Sequence, residues 1–172
     1  MKPRELEAQL ERLHPESFGW ALSCCGHEET EAEDVLQASY VRIISGRARY
    51  EGRSSFKTWL FGVIRRTAQE MARRARADRK RLIRLVPDEL RDSSTGEQEE
   101  ELARKEAAQR LHRALRSLSP RQQEVLHLVF YQDLTISEAA EVMGVSLGSA
   151  RTHYQRGKER LRVLLEEGEN VA

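Results

Sequence analysis

The stretch that decides the fold is "TISEAAEVMGVSLGSARTHYQRGKERL", residues 135–161. Thr135 and Glu138, three positions apart, form a capping box that predicts the start of a helix. Gly144 can adopt the left-handed backbone of a tight turn, and Ser146 can cap a second helix after it. A short helix, a glycine turn and a longer helix in this order predict a helix-turn-helix.

The sequence before this stretch adds a third helix to the same unit. Ser119, Pro120 and Gln122 combine an N-cap, a first-turn proline and a capping-box partner. The helices predicted for this part of the chain are 120–131, 136–143 and 147–165.

The last of these helices has two different sides when its residues are placed at 100° steps. The side predicted to be buried carries Leu147, Ala150, Tyr154, Gly157 and Leu161. The other side carries short polar and cationic groups that suit base edges and phosphates in a major groove. These are Ser149, Thr152, Gln155 and Arg156, with Arg151 and His153 on the flanks. The alternative is a three-helix bundle whose exposed face happens to be polar.

The rest of the chain also has the helical period, and strand-like alternation is absent, so the predicted class is all-α. The segment "VPDELRDSSTGEQEEE", residues 86–101, is acidic, contains proline and glycine, and has no apolar stripe. It predicts a flexible linker between two small helical domains. The predicted division is residues 3–84, a linker at 85–103, and residues 104–169.

Charge is strongly segregated along the chain. Residues 42–84 contain 14 basic and 3 acidic side chains, a net charge of +11, whereas the whole chain has only +1. Such a block predicts a polyanionic partner. It includes "YEGRSSFKTWLF", residues 50–61, with four aromatic rings among twelve residues. These rings belong either to a helical core or to a surface that stacks on unpaired bases.

Other classes of protein find little support in the sequence. Cys24, Cys25 and His27 are too few and too close together for a structural zinc site, so no metal and no cofactor is expected. No phosphate-cradling glycine loop or nucleophile–base pair indicates an enzyme or a small-molecule substrate. The polar N-terminus and the lack of a long apolar run predict a cytoplasmic protein.

Three pieces of the sequence, in this order, resemble the extracytoplasmic-function (ECF) sigma factors of bacterial RNA polymerase. The likeness covers about residues 10–80 and 107–166. Its pieces are "EAEDVLQASYVRI", "YEGRSSFKTWLFGVIRRTAQEMARR" and "LSPRQQEVLHLVFYQDLTISEAAEVMGVSLGSARTHYQRGKERLRVLL". The resemblance implies a minimal two-domain sigma factor that binds core polymerase and promoter DNA, recognises the −35 and −10 elements and melts the −10 element.

In that family the first piece lies on a helix that docks on the clamp of the largest polymerase subunits. The matching positions in this chain are Glu33, Asp34, Gln37, Tyr40 and Arg42. The resemblance therefore implies that these five residues bind core polymerase.

The second piece corresponds to the loop and helix that capture a flipped base of the −10 element and hold the separating strands. The residues implied in −10 binding and melting are Tyr50, Glu51, Gly52, Arg53, Ser54, Ser55, Lys57, Phe61, Arg65 and Arg66. We expect Phe56, Trp59 and Leu60 to form core, since they recur at helical spacing, and Tyr50 and Phe61 to contact nucleic acid. Arg66 stands where the family often has Asn, which predicts an unusual −10 preference.

The third piece corresponds to the helix that reads the −35 element. Arg151, Thr152, His153 and Arg156 match contact positions of the family, and Ser149 and Gln155 share their groove-facing side. The resemblance also implies control by an anti-sigma factor.

Two other classes of protein are alternatives to this assignment. The main one is a conventional operator-binding regulator. The other is a nuclease, which would need clustered carboxylates beside the basic block, where only Glu51, Glu70 and Asp78 occur.

Overall fold

The computed structural model describes the backbone of residues 2–82 and 99–169, and the side chains of residues 2–78 and 107–166. These residues form helices joined by short turns, with no strand among them. The helices are α1 (Pro3–Arg12), α2 (His14–Cys24), α3 (Glu29–Ile44), α4 (Phe56–Leu82), α5 (Glu99–Arg116), α6 (Pro120–Phe130), α7 (Ile136–Met143) and α8 (Leu147–Glu169). The predicted all-α class is confirmed.

The helix-turn-helix forms as its caps predict. Thr135 accepts a hydrogen bond from the Glu138 backbone N–H at the start of α7. Gly144 ends that helix with a φ of 64°, in the left-handed region that glycine tolerates. The Ser146 hydroxyl then accepts from the Ser149 N–H at the start of α8. The predicted start and end of α7 and the predicted start of α8 are therefore each set by a local side-chain or backbone feature. Helix α8 continues to Glu169, beyond its predicted end at 165, and α6 ends at Phe130, one residue before its predicted end.

One position of α8 departs from its predicted side. Ala150 and Gly157 are buried against the preceding helices, but Leu147 is 37% exposed. Leu147 occupies the first turn, where the helix has only begun to approach α6 and α7. The 100° projection gives the direction of a side chain around the helix axis, but it does not tell where packing begins along the helix.

The N-terminal unit, α1–α4, is built around α4. This helix packs against both α2 and α3. Trp20 is fully buried, and its indole Nε1 donates to the Phe61 carbonyl at 3.0 Å. Leu60 and Ile64, one turn apart on α4, complete the same fully buried layer.

The segment between the two units ends earlier in the chain than the sequence predicted. Helix α5 begins at Glu99, inside the segment predicted as linker at 85–103. The last three residues of the acidic segment 86–101 therefore belong to a helix and not to the linker. Residues 83–98 lie outside the described part of the chain.

The C-terminal unit, α5–α8, packs directly on the N-terminal unit. Helix α7 lies against α4, and α6 lies against α2. We call this the closed arrangement, and the contact surface between the two units the seam. The seam covers one side of α4, the helix that carries the basic block.

Candidate nucleic-acid interfaces

A basic cleft lies at the surface between α3, the loop after it and α4. Its volume is about 440 Å³. Its lining includes four guanidinium groups and one aromatic ring, those of Arg42, Arg47, Arg49, Arg66 and Trp59. Positive charge beside an aromatic face is the combination that binds a single-stranded backbone and stacks its bases.

One carboxylate, Glu70, balances part of this charge from α4. Arg42 donates a hydrogen bond to it, and this bond holds the Glu70 pKa below its usual value, helped by the charges of Arg42, Arg74 and Arg73. Glu70 therefore stays ionised and fixes Arg42 at the wall of the cleft. Arg47, Arg49 and Arg66 make no ion pair with a described residue.

Three aromatic rings form one half-buried cluster at the edge of the cleft. Tyr50 lies 5.3 Å from Phe56 and 5.4 Å from Trp59, and Phe56 and Trp59 are 5.2 Å apart, measured between ring centroids. The Tyr50 hydroxyl donates to the Ser54 carbonyl at 2.6 Å, which closes the loop on itself. The cluster holds Trp59 against the cleft with part of its ring accessible.

The loop from Tyr50 to Ser55 is shaped by its small residues. Gly52 has a φ of 74°, which explains why glycine is needed at the turn. Ser55, not Ser54, caps α4, because its hydroxyl accepts from the Thr58 N–H at 3.1 Å. Arg53 is highly exposed and pairs with Glu51 across the loop. Glu51 and Arg53 thus lie at an accessible tip beside the basic cleft.

The expectation for Phe61 was wrong. Its side chain is fully buried, stacked on Trp20 at 6.0 Å between centroids, and cannot reach nucleic acid in this structure. Trp59, expected in the core, is half-buried and lines the cleft. The two positions lie 200° apart around the helix, so they face opposite sides of α4.

Two other predicted −10 residues, Lys57 and Arg65, lie in the seam. The Lys57 ammonium donates to the Gln132 carbonyl at 2.8 Å and pairs with Glu16 at 2.7 Å. The Arg65 side chain is 7% exposed and makes two hydrogen bonds to the Glu124 carboxylate, at 2.9 and 3.2 Å. In the closed arrangement the C-terminal unit therefore binds Arg65 through a carboxylate, and it binds Lys57 through a carbonyl in addition to the Glu16 carboxylate of the N-terminal unit.

The five residues predicted to bind polymerase do not all share one surface. Glu33, Gln37 and Tyr40 line a shallow depression on α3 together with His14 and Phe18 of α2. Arg42 instead belongs to the basic cleft. Asp34, the fifth predicted residue, is exposed on α3.

The predicted groove-reading side of α8 is accessible. Exposed side chains are those of Ser149, Arg151, Thr152, Gln155 and Arg156, and His153 is partly buried at the flank. The Thr152 hydroxyl donates to the Gly148 carbonyl one turn earlier, at 3.0 Å. Helix α8 thus presents a row of hydroxyl, amide and guanidinium groups of the kind that contact bases and phosphates.

Sequence reasoning missed Arg47 and Arg49, which were counted only as part of the basic block. Both precede Tyr50 by one to three positions, and the turn at Gly46 brings them back toward α4. Alternating arginines just before an aromatic residue are the signal that could have identified them.

The same two units are matched by known family models. Residues 10–78 match Sigma-70 region 2, and residues 108–161 match Sigma-70 region 4. The sigma factor YlaC of Bacillus subtilis is 30% identical over 165 residues, which cover 94% of this chain and 93% of YlaC. The chain belongs to the extracytoplasmic-function family of RNA polymerase sigma factors. It is an alternative sigma factor that directs promoter-specific transcription.

Further relatives and solved structures agree with this assignment. The ECF sigma factor SigX of Bacillus subtilis is 28% identical over 152 residues, 81% of this chain and 73% of SigX. The fold is similar to that of RpoE from Bartonella quintana, which was solved in complex with the anti-sigma factor NepR. The TM-score is 0.68 at 22% sequence identity, and the match covers 95% of this chain and 98% of RpoE. CnrH, solved with the cytosolic domain of CnrY, gives 0.63 at 23% identity, covering 96% and 90%.

These findings decide between the alternatives left by the sequence. A conventional operator-binding regulator would explain the helix-turn-helix but not a match to region 2 across the basic block. Sigma factors are initiation factors and are not enzymes. Within the described residues, no helix is long and apolar enough to cross a bilayer, and no three potential ligands are grouped to hold a metal ion.

Proposed function

We propose that this sigma factor holds the melted −10 element in the basic cleft and reads the −35 element with α8. The observation that carries the first part is the juxtaposition of Trp59 with four arginines in one cleft. Stacking on an aromatic ring offsets about 1–3 kcal/mol of the cost of unstacking a base. The cations bind the phosphates on either side, so the open strand is bound more tightly than the duplex.

Around the cleft, the predicted residues take different parts. The loop formed by Tyr50, Glu51, Gly52, Arg53, Ser54 and Ser55 borders the captured base, and Arg66 faces it from α4. Lys57 and Arg65 join the contact once the C-terminal unit has moved away. We add Arg42, Arg47, Arg49 and Trp59 to this set, and leave Phe61 out because it belongs to the core.

For the −35 element, the groove-facing side of α8 supplies the base contacts. Arg156 and Arg151 can each donate two hydrogen bonds to a guanine, and Gln155 can do so to an adenine. Ser149, Thr152 and His153 lie where they can contact the phosphates or base edges of the same groove. The predicted division of the chain into residues 3–84, 85–103 and 104–169 then separates the two readers of the promoter.

The remaining partners are proposed from the family. Glu33, Asp34, Gln37 and Tyr40 present a polar surface on α3 that we propose binds the clamp of core polymerase. An anti-sigma factor is a natural partner, since RpoE of Bartonella quintana, a sigma factor of similar fold, was solved with one. We propose that the protein works in the cytoplasm, where polymerase and promoter DNA meet, and without catalytic activity or cofactor of its own.

The test is run-off transcription with core polymerase on a library of randomised promoter fragments. We expect the transcribed fragments to share two spaced elements. Arg156→Ala should relax the base preference only at the upstream element, and Arg66→Ala only at the downstream one. Arg162→Ala is the matched control, because Arg162 is an exposed arginine of α8 that pairs with Glu166 and lies two helical turns beyond Gln155. Unchanged preferences in the first two variants would contradict the proposed sites.

A further inference from the structure

A cavity of about 440 Å³ in the seam brings together three of the five histidines of the chain. His27 follows the end of α2, His112 lies on α5, and His127 lies on α6. The His27 and His112 rings meet edge to face at 5.4 Å between centroids. His127 packs on Trp20 of the N-terminal unit at 5.4 Å. The histidines thus span both units.

A hydrogen bond at the seam requires the neutral form of His127. Gln132 Nε2 lies 3.2 Å from His127 Nε2 and 3.5 Å from the carbonyl of Glu16. The carbonyl can only accept, so this amide nitrogen is the donor to both partners. His127 Nε2 must then accept, which an imidazolium cannot do. Protonation would place two donors against each other in the interior of the seam.

The charges around this cavity would add to that cost. The titratable and charged groups that line it come from three places: His27 from the N-terminal unit, His112 and Arg116 from α5, and His127 and Tyr131 from α6. Helix α8 contributes no such group, since its lining residue is Leu161. Among the described residues, no carboxylate lines the cavity, and the carboxylate of Glu124, one turn before His127, already binds Arg65 and Arg121. A proton on any of the histidines would have Arg116 or another histidine as its neighbour.

The directions of the pKa values agree with this geometry. Burial, and to a lesser degree His27, lowers the pKa of His127 to about 4. Burial also lowers the pKa of His27, together with the charges of His112 and Arg116. A histidine whose pKa is lowered by closure stabilises the closed arrangement above its ordinary pKa, and this contribution is lost as the pH falls.

We propose that protonation of this histidine cluster opens the seam, so that acidification converts the closed chain into a form with Lys57 and Arg65 exposed. The proposal rests on the closed arrangement and not on the assignment of the DNA contacts. With an ordinary histidine pKa of about 6.5 in the open form, His127 alone lowers the closed-to-open ratio about tenfold between pH 7.5 and pH 5.5. His27, whose pKa is also lowered in the closed arrangement, adds to this change.

The full chain carries its own reporters for the experiment. Of its two tryptophans, Trp20 touches His127 across the seam and Trp59 lies in the basic cleft. We would record both indole N–H signals by NMR, with the radius of gyration from X-ray scattering, from pH 7.5 to 5.5. We expect the Trp20 signal to move, the radius to rise and the helical circular dichroism to stay constant. An unchanged radius and Trp20 signal, or a rise accompanied by loss of helicity, would overturn the proposal.

Variants of the cluster assign the effect to its residues. His127→Phe keeps a ring against Trp20 but cannot be protonated, so it should stay closed at pH 5.5. The double variant His27→Gln/His112→Gln changes only exposed side chains, and its response should be smaller than that of the original chain. His14→Gln, an exposed histidine outside the cluster, should respond like the original chain. Equal responses in all four proteins would also refute the proposal.

Discussion

At the residue scale, the stretch from Tyr50 to Phe61 shows how closely core and surface can alternate on one helix. Phe61 stacks on Trp20 in the core, whereas Trp59, two positions earlier, lines the basic cleft. Helical spacing alone placed Phe56, Trp59 and Leu60 on one side. It could not tell that Leu60 and Phe61 together face the core, because that depends on where α2 crosses α4.

The face of the Trp59 ring should contribute to melting of the promoter by stacking on an unpaired base. Trp59→Ala is expected to reduce formation of the melted complex about tenfold, in line with the loss of one base-stacking contact. The measurement is permanganate reactivity of −10 thymines in complexes with core polymerase. Thermal unfolding of each variant separates this effect from a loss of folded protein.

Trp59→Phe provides the matched control, since it keeps an aromatic face at the same position. It should retain most of the melting activity of the original chain. If Trp59→Ala melts promoter DNA as well as Trp59→Phe, the ring only supports the loop through Tyr50 and Phe56.

At the element scale, helix α8 combines a packed side and a reading side. Gly157 is a point of close approach to α6, since a Cβ there would lie 3.2 Å from both Leu126 and Gln122. Leu126 is itself buried and has little room to move. The angle at which α8 leaves the helix-turn-helix therefore depends on this glycine.

Two glycines of α8 give opposite predictions for stability. Gly148→Ala should raise the free energy of unfolding by up to about 1 kcal/mol, because alanine favours the helix and its Cβ meets only the Ser146 hydroxyl at 3.9 Å. Gly157→Ala should lower it, because the crowding against Leu126 exceeds the gain in helix propensity. Urea denaturation of both variants measures the difference. A stabilised Gly157→Ala would mean that α6 and α8 adjust freely.

At the scale of the whole molecule, the closed arrangement engages two cations proposed to hold promoter DNA. Lys57 and Arg65 are bound by Gln132 and Glu124 of the C-terminal unit. Recognition of two spaced promoter elements requires the two units to act at different places on DNA. We therefore expect the seam to open before promoter binding, and we expect the free energy of the contacts in the seam to be the cost of that opening.

The Arg65–Glu124 pair should contribute directly to that energy. Glu124→Ala leaves a buried guanidinium without its carboxylate, which weakens the closed arrangement by about 1–3 kcal/mol. We expect a larger radius of gyration and tighter binding of single-stranded −10 DNA by the chain alone. Glu166→Ala, which removes an exposed partner of Arg162 on α8, should change neither. An unchanged radius in Glu124→Ala would show that apolar contacts alone hold the seam.

The sequence by itself determined the local features of this protein. Capping boxes, the glycine turn and helical periodicity depend on residues a few positions apart, so α6, α7 and the start of α8 were predictable, as was the family from its ordered motifs. Only the tertiary structure decided which side of α4 is covered, that Phe61 is core, that Arg42 belongs to the basic cleft, and that Arg65 meets Glu124. These results depend on contacts between residues far apart in the chain, such as Arg65 and Glu124, 59 positions apart, and Lys57 and Gln132, 75 positions apart. Local spacing does not encode such contacts.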